Sequence, residues 1–104
     1  MSGPVVGIDL GTTNTVVGIV QDGQARAIVD EAGDSLIPSV VSFHPGGNVL
    51  VGRQAKERRL IDATNTIYSI KRLIGRSWES DEVKRARARF PFEMREGPGQ
   101  AALV

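Results

Sequence analysis

Short apolar runs alternate with turn-forming residues along the first thirty positions of the chain. The runs are rich in Val and Ile, which favour strands. A glycine–threonine stretch follows the first run, and Asp22-Gly23, a strong hairpin signal, follows the second. The pattern therefore predicts an antiparallel meander of three strands, Val5–Leu10, Thr15–Val20 and Ala25–Val29.

The second half of the chain mixes shorter strands with helices. After Pro38, the pattern predicts a strand at Ser39–Phe43 and a return strand at Val49–Val51, separated by a Pro-Gly-Gly turn. A stretch without breakers predicts a short helix at Gln54–Leu60. The final apolar run, Gln100–Val104, predicts a strand whose partners lie outside this chain.

A second helix is predicted at Asp81–Arg89, because Ser80 is a suitable N-cap and Pro91 ends the pattern. Before it, Lys71–Ile74 predicts a single helical turn that Gly75 stops. The aromatic side chains of Trp78, Phe90 and Phe92 are expected to fill the core of this part.

The bend after Leu10 is the first candidate site. Gly11, Thr12, Thr13 and Asn14 follow a strand that carries Asp9 near its end. Successive amides in such a bend form a nest for phosphate oxygens, and a glycine lets the backbone approach a ligand and tolerates positive φ. Asp9 could hold hydrated Mg²⁺, which keeps several waters. The same residues are also ordinary hairpin-turn chemistry, so this segment alone leaves a phosphate loop and a plain turn equally open.

A second segment, residues 65–76, favours the phosphate loop over the plain turn. It contains Asn65-Thr66 followed by Lys71-Arg72-Leu73-Ile74-Gly75-Arg76. Together with Gly7-Ile8-Asp9-Leu10-Gly11-Thr12-Thr13-Asn14, it resembles the start of the ATPase domain in the 70-kDa heat-shock chaperone family (bacterial DnaK-type). The resemblance runs from about Val5 to Phe92. It implies an α/β chain with the actin/ribonuclease-H-like ATPase fold, of which only the first part of lobe I is present, as an antiparallel β-meander plus short helices.

The resemblance also implies an organisation of the chain. Residues 1–104 would be the N-terminal part of an actin-like nucleotide-binding domain. Residues 1–30 would form the first sheet with its phosphate loop, and residues 31–95 a small upper subdomain. The chain is thus expected to be a fragment of a longer protein, or a form much shortened relative to the family.

Site roles follow from the resemblance in the same way. The amides of Thr12, Thr13 and Asn14, beside Gly11, would face the phosphates of ATP or ADP. Asp9 would contact Mg²⁺ through water, with K⁺ as a further candidate ion. Lys71 would lie near the γ-phosphate and orient the attacking water, so Lys71 and Asp9 are the candidate catalytic residues. Arg72 would either pair with a group of its own turn or contact nucleotide.

The implied function is the ATP-binding part of a chaperone whose ATP hydrolysis gates binding of unfolded polypeptides, with the 104-residue chain alone inactive. The implied partners are those clients, bound by a missing C-terminal region, a J-domain co-chaperone and a nucleotide exchange factor. Two alternatives stay open: a non-catalytic interaction module that keeps the chaperone scaffold, and a relative of sugar kinases or actin.

Composition narrows the remaining classes. The chain has no cysteine, which excludes disulfides and thiolate metal sites. It shows no signal-peptide pattern and no apolar run approaching about 18 residues, so a cytoplasmic protein without membrane contact is expected. Eleven Lys or Arg against five acids occupy residues 53–89. Because the bases of residues 84–89 follow Asp81 and Glu82 on the predicted helix, where acids favour the N-terminus and bases the C-terminus, nucleic-acid binding is not expected.

Overall fold

The first sheet contains the predicted three-stranded meander, in which the second strand is one residue longer at each end and the third spans Gln24–Ala27 instead of Ala25–Val29. A computed structural model describes residues 4–104. Strand β1 (Val5–Leu10) runs antiparallel to β2 (Asn14–Gln21), and β2 runs antiparallel to β3 (Gln24–Ala27). The turn between β2 and β3 consists of Asp22 (φ 52°) and Gly23 (φ 76°). Two positive φ values in a two-residue loop match the twist of the flanking strands, which is why Asp-Gly predicted this hairpin.

The strand predicted at Ser39–Phe43 is confirmed one residue shorter, and a two-residue strand that was not predicted precedes it in the other sheet. Strand β4 (Ile37–Pro38) pairs with the start of β2, where Asn14 lies opposite Pro38. Strand β5 (Val40–Phe43) belongs to the second sheet. Ser39 is the residue between them, so the chain crosses from one sheet to the other at this position.

The second sheet has the order β6-β5-β7 and is antiparallel. Strand β6 (Val49–Val51) has the predicted bounds, whereas β7 (Thr66–Tyr68) was not predicted. The fully buried hydroxyls of Ser42 and Thr66 are 2.9 Å apart and form a hydrogen bond across β5 and β7. Buried polar groups are costly unless paired, so this bond stabilises the register of the two strands.

Helix α1 (Arg53–Glu57) is shorter than the predicted Gln54–Leu60 and starts one residue earlier. It follows Gly52, whose φ of 82° favours glycine and whose amide donates to the Val40 carbonyl at 3.0 Å. Ala55 is fully buried and attaches the helix to the second sheet.

Helix α2 (Asp81–Arg89) carries the main apolar core and has the predicted bounds. The Ser80 hydroxyl accepts a hydrogen bond from the amide of Val83 at 3.3 Å, which confirms the predicted cap. Val83 and Ala86 are buried against Leu73. The partly buried residues around this cluster are Ile70, Trp78, Phe90, Met94 and Ala102.

The aromatic residues pack as expected. Phe92 is buried, and its ring stacks on that of Phe90 at a centroid distance of 5.0 Å. Tyr68 contacts both rings edge to face. Trp78 packs against the α2 cluster, so the expectation that these rings fill the core is confirmed.

Two details near the turn and the C-terminus differ from expectation. The helical turn predicted at Lys71–Ile74 is a 3₁₀ turn at Ile70–Arg72. The prediction that the final run lacks partners in this chain is wrong, since β9 (Ala102–Leu103) pairs with β8 (Arg95–Glu96). A two-residue strand such as β8 has no apolar alternation for a pattern to detect.

The first sheet is much less covered than the α2 core. All six residues of β1 are exposed, including Val5 (65%) and Ile8 (67%). The packing that stabilises the described residues is therefore concentrated around α2 and the second sheet. Within residues 4–104, no helix is long and apolar enough to cross a membrane.

Candidate phosphate-binding bend

The bend between β1 and β2 consists of Gly11, Thr12 and Thr13, and leads into Asn14 at the start of β2. A Cβ atom at Gly11 would overlap the carbonyl oxygen of Asn14. The φ of Gly11 is not positive, so its tolerance of positive φ is not used here. Glycine is required because the chain folds back onto itself too closely for any side chain.

Ser39 holds the carbonyl groups of the bend. Its hydroxyl donates to the Gly11 carbonyl at 2.8 Å, and its amide donates to the Thr13 carbonyl at 2.9 Å. The same hydroxyl lies 2.8 Å from that of Thr15. These bonds hold the bend from the side where the chain crosses from β4 to β5. They engage carbonyl groups of the bend and not the amides of Thr12 and Thr13.

The amides of Thr12 and Thr13 have no hydrogen-bond acceptor among residues 4–104. Backbone amides that lack a protein partner are paired with water or with a ligand. Consecutive amides of this kind can bind an anion. The free donors that a phosphate nest needs are therefore present at the bend, as they are in the middle of an ordinary turn.

A cavity of about 130 Å³ adjoins the bend. Thr12 and Thr13 line it together with Ser69 and two cations, Lys56 and Arg59. The Arg59 guanidinium lies over the Tyr68 ring, with 3.7 Å from Cζ to the centroid, and this stacking holds it in place. Two positive charges beside unpaired amides make the cavity suited to an anion.

Lys56, Arg59 and Ser69 line the cavity but were not predicted from the sequence as candidate site residues. The spacing of three between Lys56 and Arg59 on a helical stretch was the available signal, since such residues share a face. Ser69 has φ 57°, an uncommon value for a residue other than glycine, and it precedes the turn Ile70–Arg72.

The predicted catalytic residues lie outside this cavity. Lys71 is exposed in the 3₁₀ turn, two residues after Ser69. Asp9 is exposed on β1, opposite Val16. The described residues that line the cavity include neither of them, so the structure joins the bend to Ser69, Lys56 and Arg59, while the roles of Asp9 and Lys71 stay predictions.

The residues present fit a nucleotide phosphate and a hydrated metal in different degrees. The free amides and the two cations suit phosphate oxygens directly. Among residues 4–104, no group of three His, Cys, Asp or Glu side chains gathers to hold a metal ion. The exposed Asp9 carboxylate fits a metal contact through water, in which the protein supplies few ligands.

Comparison with known proteins agrees with the family resemblance noted in the sequence. The family model described as Hsp70 protein matches residues 5–104, which extends beyond the resemblance noted in the sequence. Chaperone protein dnaK1 of Synechococcus elongatus is 44% identical over 88 residues, which is 85% of this chain and 13% of that protein.

Two further relatives are named chaperone protein DnaK. The one from Stenotrophomonas maltophilia is 44% identical over 92 residues, covering 88% of this chain and 14% of its own length. The one from Deinococcus deserti is 45% identical over 99 residues, covering 95% and 15%. The chain thus spans about one seventh of the length of the curated relatives it matches.

Proposed function

The chain belongs to the Hsp70 protein family, and we propose that it forms the first part of lobe I of that family's ATPase domain. The family implies an actin/ribonuclease-H-like fold and binding of nucleotide with Mg²⁺. The antiparallel sheets and few helices of residues 4–104 are consistent with part of such a domain. In this proposal, residues 1–30 form the first sheet and residues 31–95 the small upper subdomain.

The observation that carries the proposal is the pair of unpaired amides at Thr12 and Thr13 beside a cationic cavity. They would hold the phosphates of ATP or ADP, and Gly11 with Asn14 would shape the bend. Lys56 and Arg59 would add positive charge at the same place. Negative charge that develops on a transferred phosphoryl group is stabilised most by fixed donors and cations of this kind.

Two residues would carry the remaining chemistry. Asp9 would position Mg²⁺ through water, and the metal ion would neutralise negative charge on the phosphates. Lys71, in the turn after Ser69, would approach the γ-phosphate and orient water. Hydrolysis to ADP and phosphate would need the second lobe, which would form the opposite wall of the nucleotide cleft. Fixed charges stabilise a transferred phosphoryl group strongly only where water is excluded, and that requires both walls. The 104-residue chain alone is therefore expected to be inactive.

In a complete chaperone of this family, hydrolysis would gate the binding of unfolded polypeptides in the cytoplasm. A J-domain co-chaperone and a nucleotide exchange factor would be the partners. The match to the Hsp70 family model over residues 5–104 favours this function over that of a sugar kinase or an actin-like protein. An interaction module without hydrolysis would keep the same scaffold and differ in turnover alone.

The decisive experiment is a chimera in which residues 5–104 replace the aligned segment of one full-length relative. We expect the chimera to hydrolyse ATP, and Lys71→Ala to abolish nearly all turnover while sparing Mg·ADP binding in calorimetry. Lys84→Ala, on α2, is the matched control and should leave turnover unchanged. Unchanged turnover in Lys71→Ala would show that the assigned role is wrong, and an inactive chimera that binds nucleotide would favour the interaction module.

A further inference from the structure

A groove lies between the turn Ile70–Arg72 and one face of α2, and three arginines line it. Arg72 comes from the turn, and Arg85 and Arg89 come from positions four apart on the helix. All three side chains are exposed. None of them has a carboxylate within 4 Å among residues 4–104, although five other ion pairs are formed there.

The groove combines this charge with an apolar floor. Leu73 and Ala86 are buried beneath it, and the half-buried Phe90 closes one end. Its volume is about 180 Å³. Since a water molecule takes about 30 Å³ of liquid, the groove has room for roughly one side chain and not for a large ligand.

One acid, Glu82, stands at the groove. Its carboxylate is 3.8 Å from the Arg76 guanidinium, which lies outside the groove lining. A single carboxylate that is already shared with another arginine does not balance three guanidinium groups. The groove therefore presents a net positive charge over an apolar base.

The surrounding aromatic rings argue against nucleic acid as the occupant. Single-stranded nucleic acid is held by bases that stack on free aromatic faces. The Phe90 ring is stacked on Phe92, and the Trp78 ring is covered by Arg87, whose Cζ is 4.1 Å from the centroid. One face of each ring is thus already covered, and of the two only Phe90 lines the groove.

We propose that this groove binds an acidic peptide segment in which Glu or Asp residues flank one aliphatic side chain. Guanidinium groups bind carboxylates in a bidentate manner, so Arg72, Arg85 and Arg89 would hold the acids. The aliphatic side chain would lie on Leu73 and Ala86. This site is separate from the cavity at the phosphate bend, and no residue lines both.

The test is fluorescence anisotropy with the 104-residue chain and a short labelled peptide in which glutamates flank a single leucine. The groove variant is Arg85→Gln with Arg89→Gln. The matched control is Arg26→Gln with Arg53→Gln, which removes the same two charges from β3 and α1. Arg72→Gln serves as a second groove variant on a different element, and circular dichroism checks that each variant is folded.

We expect saturable binding that the groove variant weakens by about tenfold or more, because charge-assisted hydrogen bonds are lost. The control should weaken it by less than about twofold, since exposed charges outside a site interact weakly through water. A peptide with serine in place of leucine should bind less tightly.

Three results would overturn the proposal. The first is equal weakening in the groove variant and the control, which would mean attraction to overall charge. The second is no saturable binding of the peptide. The third is a single-stranded oligonucleotide that binds more tightly than the peptide and is lost in the same groove variants. Because no nucleotide enters this experiment, its failure would leave the proposed ATPase function untouched.

Discussion

Two glycines of the first hairpin provide a direct test of how the bend is built. Gly11 lies at the bend, where a Cβ would overlap the Asn14 carbonyl oxygen. Gly7 lies on β1, where a Cβ would meet no heavy atom within 4 Å. Neither residue has positive φ, so backbone freedom does not distinguish them. The substitutions Gly11→Ala and Gly7→Ala therefore differ in the contact of a single methyl group.

The expected effects on the free energy of unfolding have opposite signs. At Gly11, the bend must shift to admit the methyl group, and such overpacking costs about 1–3 kcal/mol. At Gly7, alanine lowers the conformational entropy of the unfolded chain without a clash. The gain for a strand position is about 0.5–1 kcal/mol. The two variants should thus differ by about 1.5–4 kcal/mol.

Urea unfolding followed by circular dichroism measures this difference, provided that both variants keep the same slope against urea concentration. In addition, Gly11→Ala should move the amide resonances of Thr12 and Thr13, whereas Gly7→Ala should leave them in place. Equal stability of the two variants, with unmoved bend resonances in both, would refute the close-approach explanation for Gly11.

Further substitutions test the hydrogen bonds that Ser39 makes to the bend, the packing of the α2 core and the charge of Glu82. Ser39→Ala removes the hydroxyl hydrogen bonds to Gly11 and Thr15 and should lower the free energy of unfolding, measured in urea, by about 1–2 kcal/mol. It should also shift the amide resonances of the bend, and unshifted resonances would contradict a role of Ser39 in holding the bend. Val83→Ala, at a fully buried position, should cost about 2–3 kcal/mol, and a loss well below about 1 kcal/mol would contradict tight packing there. The pKa of Glu82 is lowered from its ordinary 4.5, first by its hydrogen bond to the backbone at the start of α2 and then by Arg76 and Arg85. The ionised Glu82 carboxylate therefore contributes to stability above pH 4.5, and this contribution is lost as the pH falls through the lower pKa of the folded state. Glu82→Gln should thus reduce the fall of the urea midpoint in acid. An equal fall in both proteins would contradict this contribution.

The sequence predicts those parts of the fold whose signals are local. The Asp22-Gly23 turn needs two positive φ values, and the Ser80 cap needs one hydroxyl, so both could be recognised from a few residues. The strand β7 and the β8–β9 pair escaped prediction because strands of two or three residues are too short for alternation to show, whereas the equally short β6 was predicted from the Pro-Gly-Gly turn that precedes it.

The candidate site follows the same division. Thr12 and Thr13 were identified because a glycine-containing bend is a local motif. Lys56 and Arg59 were not, since they reach the bend only through tertiary packing. The reason for Gly11 also depends on tertiary geometry, because the Asn14 carbonyl approaches it only once the hairpin has formed.

Ser39 links these two levels. The bend amides belong to the first sheet, whereas Lys56 belongs to α1, which is attached to the second sheet. Ser39 holds the bend carbonyls, and its neighbour Val40 accepts the Gly52 amide at 3.0 Å; the Gly52 carbonyl in turn accepts the Lys56 amide at 2.9 Å. A short hydrogen-bonded route thus sets the position of the Lys56 backbone relative to the donors at the bend.

The α2 core takes no part in that route. Val83 lies among Leu73 and Ala86, and none of these residues lines the cavity at the bend. Loss of core packing should therefore lower global stability while the bend keeps its geometry in the folded population. Loss of the Ser39 hydroxyl should alter the bend even where global stability falls by a similar amount. The geometry of the candidate phosphate-binding bend thus depends on the crossing between the two sheets, and the stability of the described residues depends chiefly on the packing beneath α2.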